Sequence, residues 1–252
     1  MKTLLILLLS FSSFIVLFAQ ETSTVDRGKE SQEEMEKLDQ GSNLERKQYR
    51  EISEKYRERI ANGIKLLTIV SANFGEEVPD SKTALENIIK ENQIALRYYY
   101  RNAHVASGKS TQKVDKDLTA LLGKFAKVYD TKTQNLLTEC ADSITKQEQT
   151  QLINDSQDSS KSFSSNFVDV TDSTHKLKIA YNQLSLALDM ARDDRFYNAI
   201  IHFRIAKDYG IKILTDLKEA EADKKAVTDK YVKDLADNRN MISGGGSSVP
   251  KK

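Results

Sequence analysis

FSSNFVDVTDSTHKLKIAYNQLSLALDMA, residues 163–191, decides the fold. Phe163, Phe167, Val170, Thr174, Leu177, Tyr181, Leu184, Leu188 and Ala191 recur at alternating steps of four and three. That seven-residue period keeps one seam of a helix turned toward its neighbours. Sustained over four repeats, it predicts a long helix in left-handed, coiled-coil-like packing.

The same period extends outward in both directions. Downstream, Asp193 and Asp194 read as caps for a helix whose stripe runs Phe196, Ala199, Ile200, Phe203, Ala206, Ile213, Leu214, Leu217, Val227, Tyr231 and Leu235, a single element to about residue 242. Upstream, residues 154–162 form a turn by composition. Before them, Val114, Leu118, Leu121, Leu122, Phe125, Val128, Tyr129, Leu136, Cys140 and Ile144 mark a helix from near Ser110 with no proline inside it. Reaching Asn154, it would be about 65 Å long. Tyr49 to Phe74 and Leu85 to Ala103 carry two further helical stripes. Gly75 is placed to end the first. Asp80, Ser81 and a Thr83–Glu86 capping box are placed to open the second, and Gly108 to end it. No segment alternates with the period of a strand.

The expected fold is therefore all-α: an elongated antiparallel helical bundle of about five long helices, a two-lobed rod or V. The unequal helix lengths divide residues 44–242 into a larger lobe, about 44–130 with 179–215, and a thinner one, about 131–178 with 216–242. Helices 2 and 5 carry apolar residues on a second face (Ile94, Tyr98 and Val105; Ile201, Ile205 and Tyr209), which predicts central positions for both.

Composition fits that shape and excludes several function classes. Of 252 residues, 38 are Lys or Arg and 37 Asp or Glu, with two prolines and one cysteine. Such balance argues against nucleic-acid binding, which needs a basic surface. One cysteine allows no intrachain disulfide. Cys140 lies on a helical stripe and reads as a small buried hydrophobe. Residues 1–19, with Lys2 before an uncharged apolar run and Ala19 at its end, read as a secretory signal peptide too short to span a bilayer. The expectation is an exported chain with no stable membrane insertion once the signal is removed. Residues 20–43 are a polar, flexible lead-in, and 243–252 a Gly- and Ser-rich disordered tail.

Chemical motifs are few. His104, His175 and His202 lie on three helices without metal-ligand spacing, and the acid pairs Glu33-Glu34, Glu76-Glu77 and Asp193-Asp194 read as caps or solvated charge. No enzyme, cofactor or metal site is expected. Arg97-Tyr98-Tyr99-Tyr100-Arg101 concentrates residue types enriched in interface hot spots. Ile94, Arg97, Tyr98, Arg101 and Val105 form a candidate protein-interaction strip, the alternative being a helix buried on both sides. Around residues 186–206 the spacing is similar to one tetratricopeptide hairpin, but it does not recur, and small-residue packing accounts for it.

The Arg97–Arg101 segment and the run DRFYNAIIHFRIAK (194–207), in a proline-poor helical chain with an export signal, resemble the flagellar-coiling proteins of leptospiral spirochaetes. The resemblance implies a non-catalytic component of the periplasmic flagellum that coats the filament and helps impose its coiled shape for motility. Its partners would be other filament or sheath proteins, with self-association possible. From the residues alone, a periplasmic or surface helical binding module, a chaperone or adhesin, is the alternative.

Overall fold

The computed structural model describes residues 37–157 and 170–242. The expected signal peptide, most of the lead-in, Phe163 and Phe167 of the heptad, and the tail lie outside them. Among the described residues there are seven α-helices and no strand: α1 (Asn43–Phe74), α2 (Ser81–Tyr100), α3 (His104–Gln157), α4 (Val170–Arg192), α5 (Phe196–Asp216), α6 (Glu221–Lys230) and α7 (Val232–Ile242). A single 3-10 turn, Gly75–Glu77, follows α1. The fold is all-α, and its five long helices are α1 to α5.

Helices α1 to α5 alternate in direction, so α1, α3 and α5 run the same way. Ser53 pairs with Ser107 and Arg59 with Asp115 along α1 and α3. Gly123 faces Phe196, and Gly210 faces Leu136, along α3 and α5. Helix α3 is the spine, touching α1, α2, α4 and α5. Its 54 residues extend about 80 Å, which makes the bundle elongated.

Two apolar clusters line that spine. The larger holds Leu67, Val70, Phe74, Phe125, Tyr129, Ile200 and Phe203 among others. The smaller is built from Leu136, Cys140, Ile144, Val170, Ile211, Ile213, Leu214 and Leu217, with Val227 and Tyr231 against it. Cys140 is fully buried and its thiol donates to the Gly210 carbonyl at 3.2 Å. Burial, with a smaller push from Glu139, raises that thiol to about 12, so it is a packing residue with almost no thiolate at neutral pH.

Helix boundaries depart from the sequence reading in five places. Helix α2 ends at Tyr100, eight residues before Gly108, because Asn102 takes a left-handed conformation (φ 62°). The Ala103 amide then donates to the Tyr98 carbonyl and the Asn102 amide to that of Tyr99, which is a Schellman closure with asparagine in the glycine position. Gly108 instead lies inside α3, where a Cβ would sit 2.8 Å from the Tyr49 carbonyl oxygen. Asp194 (φ 55°) closes α4 in the same way, with Arg195 N donating to Met190 O and Asp194 N to Ala191 O. The acid pair therefore ends α4 rather than capping α5. At α2, Asp80 makes no side-chain cap and Ser81 Oγ donates backward to the Gly75 carbonyl. The capping box sits at α1, between Ser42 and Glu45. Finally, α3 continues through residues 154–157, where composition predicts a turn.

The heptad seam is also rotated. In the described part of α4 the buried side chains are Val170, Ser173, Ala180, Leu184 and Ala187, while Tyr181 is 43 % exposed. These positions keep the three-four alternation but favour small residues. Alanine and serine let α4 approach α5 closely, and the larger apolar side chains flank the contact.

The largest correction concerns the expected final helix. Its pattern breaks twice, at Leu217–Ala220 and at Tyr231, and α6–α7 folds back along α5. Asp234 reaches Lys207 and Asp237 reaches Arg204, in antiparallel register. Helix α7 thus lies on α1 and α5, with its Leu235 packed against the smaller cluster.

Candidate functional site

The proposed interaction strip does not survive as one helical face. Ile94, Arg97 and Tyr98 are half-buried on α2, Arg101 is exposed in the turn after it, and Val105 is 4 % exposed on α3. The physical reason is the Asn102 reversal, which turns Val105 inward. Helix α2 touches α1 and α3 but is not central, and its second apolar line stays half-exposed.

What the Tyr run builds instead is one end of the rod. Tyr99 Oη donates to Glu54 Oε1 at 2.7 Å, and Arg50 Nε donates to the same oxygen at 2.9 Å. The Tyr99 hydrogen bond, then that of Arg50, holds the Glu54 carboxyl below its ordinary range. Tyr100 stacks edge-on against Tyr99 with centroids 5.5 Å apart, yet is 71 % exposed. Nearby, Asp39 Oδ1 accepts from the Val105 amide at 3.0 Å, capping α3 from a distant part of the chain.

A groove of about 790 Å³ lies between α1, α3 and the α4–α5 turn. Its floor includes Gly63, Leu118, Leu122 and Phe196, and its rim Arg59, Asp115 and Arg195. Arg59 Nε stands 3.1 Å from Asp115 Oδ1, while Arg59 Nη2 donates to Thr119 at 3.2 Å. Burial pushes the Asp115 carboxyl up against the opposing pull of Arg59. The Arg59 contact is charge attraction without hydrogen-bond geometry, since Asp115 Oδ1 makes no hydrogen bond among the described atoms.

The most unusual chemistry is inside the bundle. Arg204 on α5 grips Asp237 on α7 with both prongs: Nε to Oδ2 at 2.5 Å and Nη2 to Oδ1 at 2.6 Å. Tyr129 on α3 donates to Asp237 Oδ2, and Asn73 on α1 donates to Oδ1 at 3.0 Å. One turn along, Lys207 donates to Asp234 and lies over the rings of Tyr129 and Phe74, 4.2 and 4.8 Å from their centroids. Arg204, Lys207 and Asp237 are at most 4 % exposed. Burial pulls the Lys207 ammonium below its ordinary value against the attraction of Asp234. Burial, then the Asp237 charge, pushes the Tyr129 phenol well up. Two cations and two carboxylates cancel, so this is a charge-neutral clip joining four helices.

The sequence reading missed the clip, yet its signal is present. Arg204 and Lys207 sit on an apolar stripe at a spacing of three, and Asp234 and Asp237 repeat that spacing on the last helix. Equal spacing of opposite charges on two stripes is what an antiparallel ionic pairing requires.

Among the described residues no group of three or more His, Cys, Asp or Glu side chains could hold a metal ion, and no helix is long and apolar enough to cross a membrane. No protein-family model, curated protein or solved structure matches the chain.

Proposed function

We propose that this protein is a non-catalytic structural component of a periplasmic flagellum, coating the filament and contributing to its coiled shape and to cell motility. The observation that carries the reading furthest is α3, an unbroken helix of 54 residues with four other helices packed along it. A stiff rod with short connections presents long faces for repeated side-by-side packing. Near-equal basic and acidic content, 38 against 37, lets many copies lie together without mutual repulsion. Residues 1–19 supply the export signal, and the resemblance of residues 97–101 and 194–207 to flagellar-coiling proteins supplies the periplasmic location and the partners, other sheath or filament proteins, with self-association possible.

Washed filaments examined by mass spectrometry test this. The protein should co-purify with them, and its deletion should change filament curvature and swimming; absence from filaments, or a deletion without effect, sinks the proposal. The groove beside Arg59 and Phe196 favours a second reading, a periplasmic or surface binding module of chaperone or adhesin type. A chaperone would suppress aggregation of an unfolded client in solution, which a sheath component has no reason to do.

A further inference from the structure

Three of the bends in this chain carry left-handed residues, Asp80, Asn102 and Asp194, the residue types that tolerate that conformation. The bend between α5 and α6 has no such chemistry. It reads Leu217-Lys218-Glu219-Ala220, four strong helix formers, and none takes a positive φ. Ala220 is extended (φ −76°, ψ 134°) and caps α6 without a side-chain hydrogen bond. The second break, at Tyr231, is equally unmarked, and no glycine or proline occurs from Ile211 to Ile242. Local preference thus favours one continuous helix from 196 to 242, while the fold bends it back. Such conflicts between local and global preference concentrate at functional sites.

The ionic clip holds the bend closed together with Val227, Tyr231 and Leu235, half-buried against the smaller apolar cluster, and the bonds from Lys230 and Tyr231 to Glu139. No residue from Lys218 to Lys233 is buried, and the buried residues of α7 from Val232 to Asn240 are Asp234 and Asp237. A buried ion pair adds little net stability but penalises any partner that leaves its charges unpaired, and here Arg204 Nη1 already lacks a hydrogen-bond partner among the described atoms. A receptor holding Arg204, Lys207, Tyr129 and Asn73 would be left with two unpaired buried cations if empty, so it demands an Asp-x-x-Asp helix. Were 217–220 helical, Asp237 would stand about 50 Å from its own Arg204, beyond reach of that receptor and within reach of a neighbour's.

We propose that α6–α7 is an exchangeable arm: it straightens onto α5 and seats Asp234 and Asp237 in the Arg204–Lys207 receptor of a second copy of this chain. Every contact of the clip is remade between copies, and the uncapped bend is relieved. Because the arm that leaves one copy vacates that copy's receptor, exchange either closes into a reciprocal dimer or propagates from copy to copy. This goes beyond the flagellar reading and does not rest on it, since it concerns the chain in solution.

Complementary variants test it. Asp234→Asn with Asp237→Asn keeps the receptor and spoils the arm; Arg204→Met with Lys207→Met spoils the receptor and keeps the arm. Each alone should be monomeric by light scattering, and an equimolar mixture should give a 1:1 dimer at least ten-fold more abundant than in either sample. A mixture that stays monomeric with helicity intact overturns the proposal. Should either variant lose helicity, Asp208→Cys with Asn238→Cys leaves the clip untouched, because these side chains pair at 3.1 Å beside it. After incubation at rising concentration and oxidation, interchain disulfide should increase with concentration. Intrachain bonds alone at every concentration overturn the arm. Neither result depends on where the protein resides, so failure here and failure of the sheath reading are separately visible.

Discussion

Arg204 and Asp237, 33 residues apart, form a two-pronged ion pair at 2.5 and 2.6 Å with neither side chain more than 4 % exposed. Removing one partner from such a pair leaves an uncompensated charge in the interior. Asp237→Ala should therefore cost about 3 kcal/mol, the low end for a broken buried pair, because α7 can lift and let water reach Arg204. For a chain of this size that lowers Tm by roughly 10 °C. Replacing both partners, Arg204→Met with Asp237→Leu, should restore most of the loss. Thermal melts of the two variants decide this, and an equal loss in both would refute the ionic origin.

Gly108 meets Tyr49 at the α1–α3 contact more tightly than any side chain allows. An added Cβ would lie 2.5 Å from the ring and 2.8 Å from the backbone oxygen. The ring can turn but the carbonyl is fixed in α1. Alanine ordinarily stabilises a helix interior by about 1 kcal/mol over glycine, whereas here overpacking costs about 1–3 kcal/mol. Gly108→Ala should show no gain and a net loss in chemical denaturation. A rise in stability would mean that the two helices separate without cost.

How much of this was legible in the residues follows from what each pattern reports. Side-chain period reports which face is buried, so the helices and the all-α fold could be read from positions such as Leu118, Phe125 and Phe203. It does not report chain reversal by asparagine or aspartate, because Asn102 and Asp194 are left-handed for reasons that composition alone does not state. Hence the interaction strip was drawn across a turn. Nor does period reveal a helix folded back on itself when the bend contains only helix formers. Leu217 to Ala220 bend because Asp234 and Asp237 find Lys207 and Arg204 while Val227, Tyr231 and Leu235 pack on the smaller cluster, tertiary contacts that override local preference. The exposed end with Tyr100 was visible as a Tyr-Arg cluster, but its position depended on the same turn.

The left-handed turns give a test of that reasoning. Asn102 (φ 62°) and Asp194 (φ 55°) occupy positions where glycine carries no Cβ penalty. Asn102→Gly should leave stability unchanged or slightly raised, while Asn102→Val should lower it by about 1–2 kcal/mol. The same order should hold at Asp194. Urea titration ranks the variants, and a valine as stable as glycine would exclude the left-handed geometry at that residue.

Tyr231 ties the α6–α7 junction to α3. Its hydroxyl donates to Glu139 Oε2 at 2.8 Å, and Lys230 donates to both oxygens of the same carboxylate at 2.7 and 2.8 Å. Burial, then the hydrogen bond to Glu139, raises the phenol from 10.0 to about 12. A group whose value is raised on folding contributes stability that is complete below its unfolded value and is lost as pH climbs through the folded one. The contribution from Tyr231 should accordingly be intact at pH 9 and decline between pH 10 and about 12. Tyr129, raised further by burial and by Asp237, should resist ionisation until the fold opens. Ultraviolet absorbance follows phenolate formation directly, because ionisation shifts the tyrosine band to longer wavelength. In native protein Tyr231 should ionise later than the ordinary phenol value of 10.0, and Tyr129 should appear only together with the loss of helical circular dichroism. Tyr231→Phe should remove the lagging step while leaving the final cooperative one. If the native chain titrated as a single wave near 10 with helicity unchanged, neither phenol could be held as the structure places it.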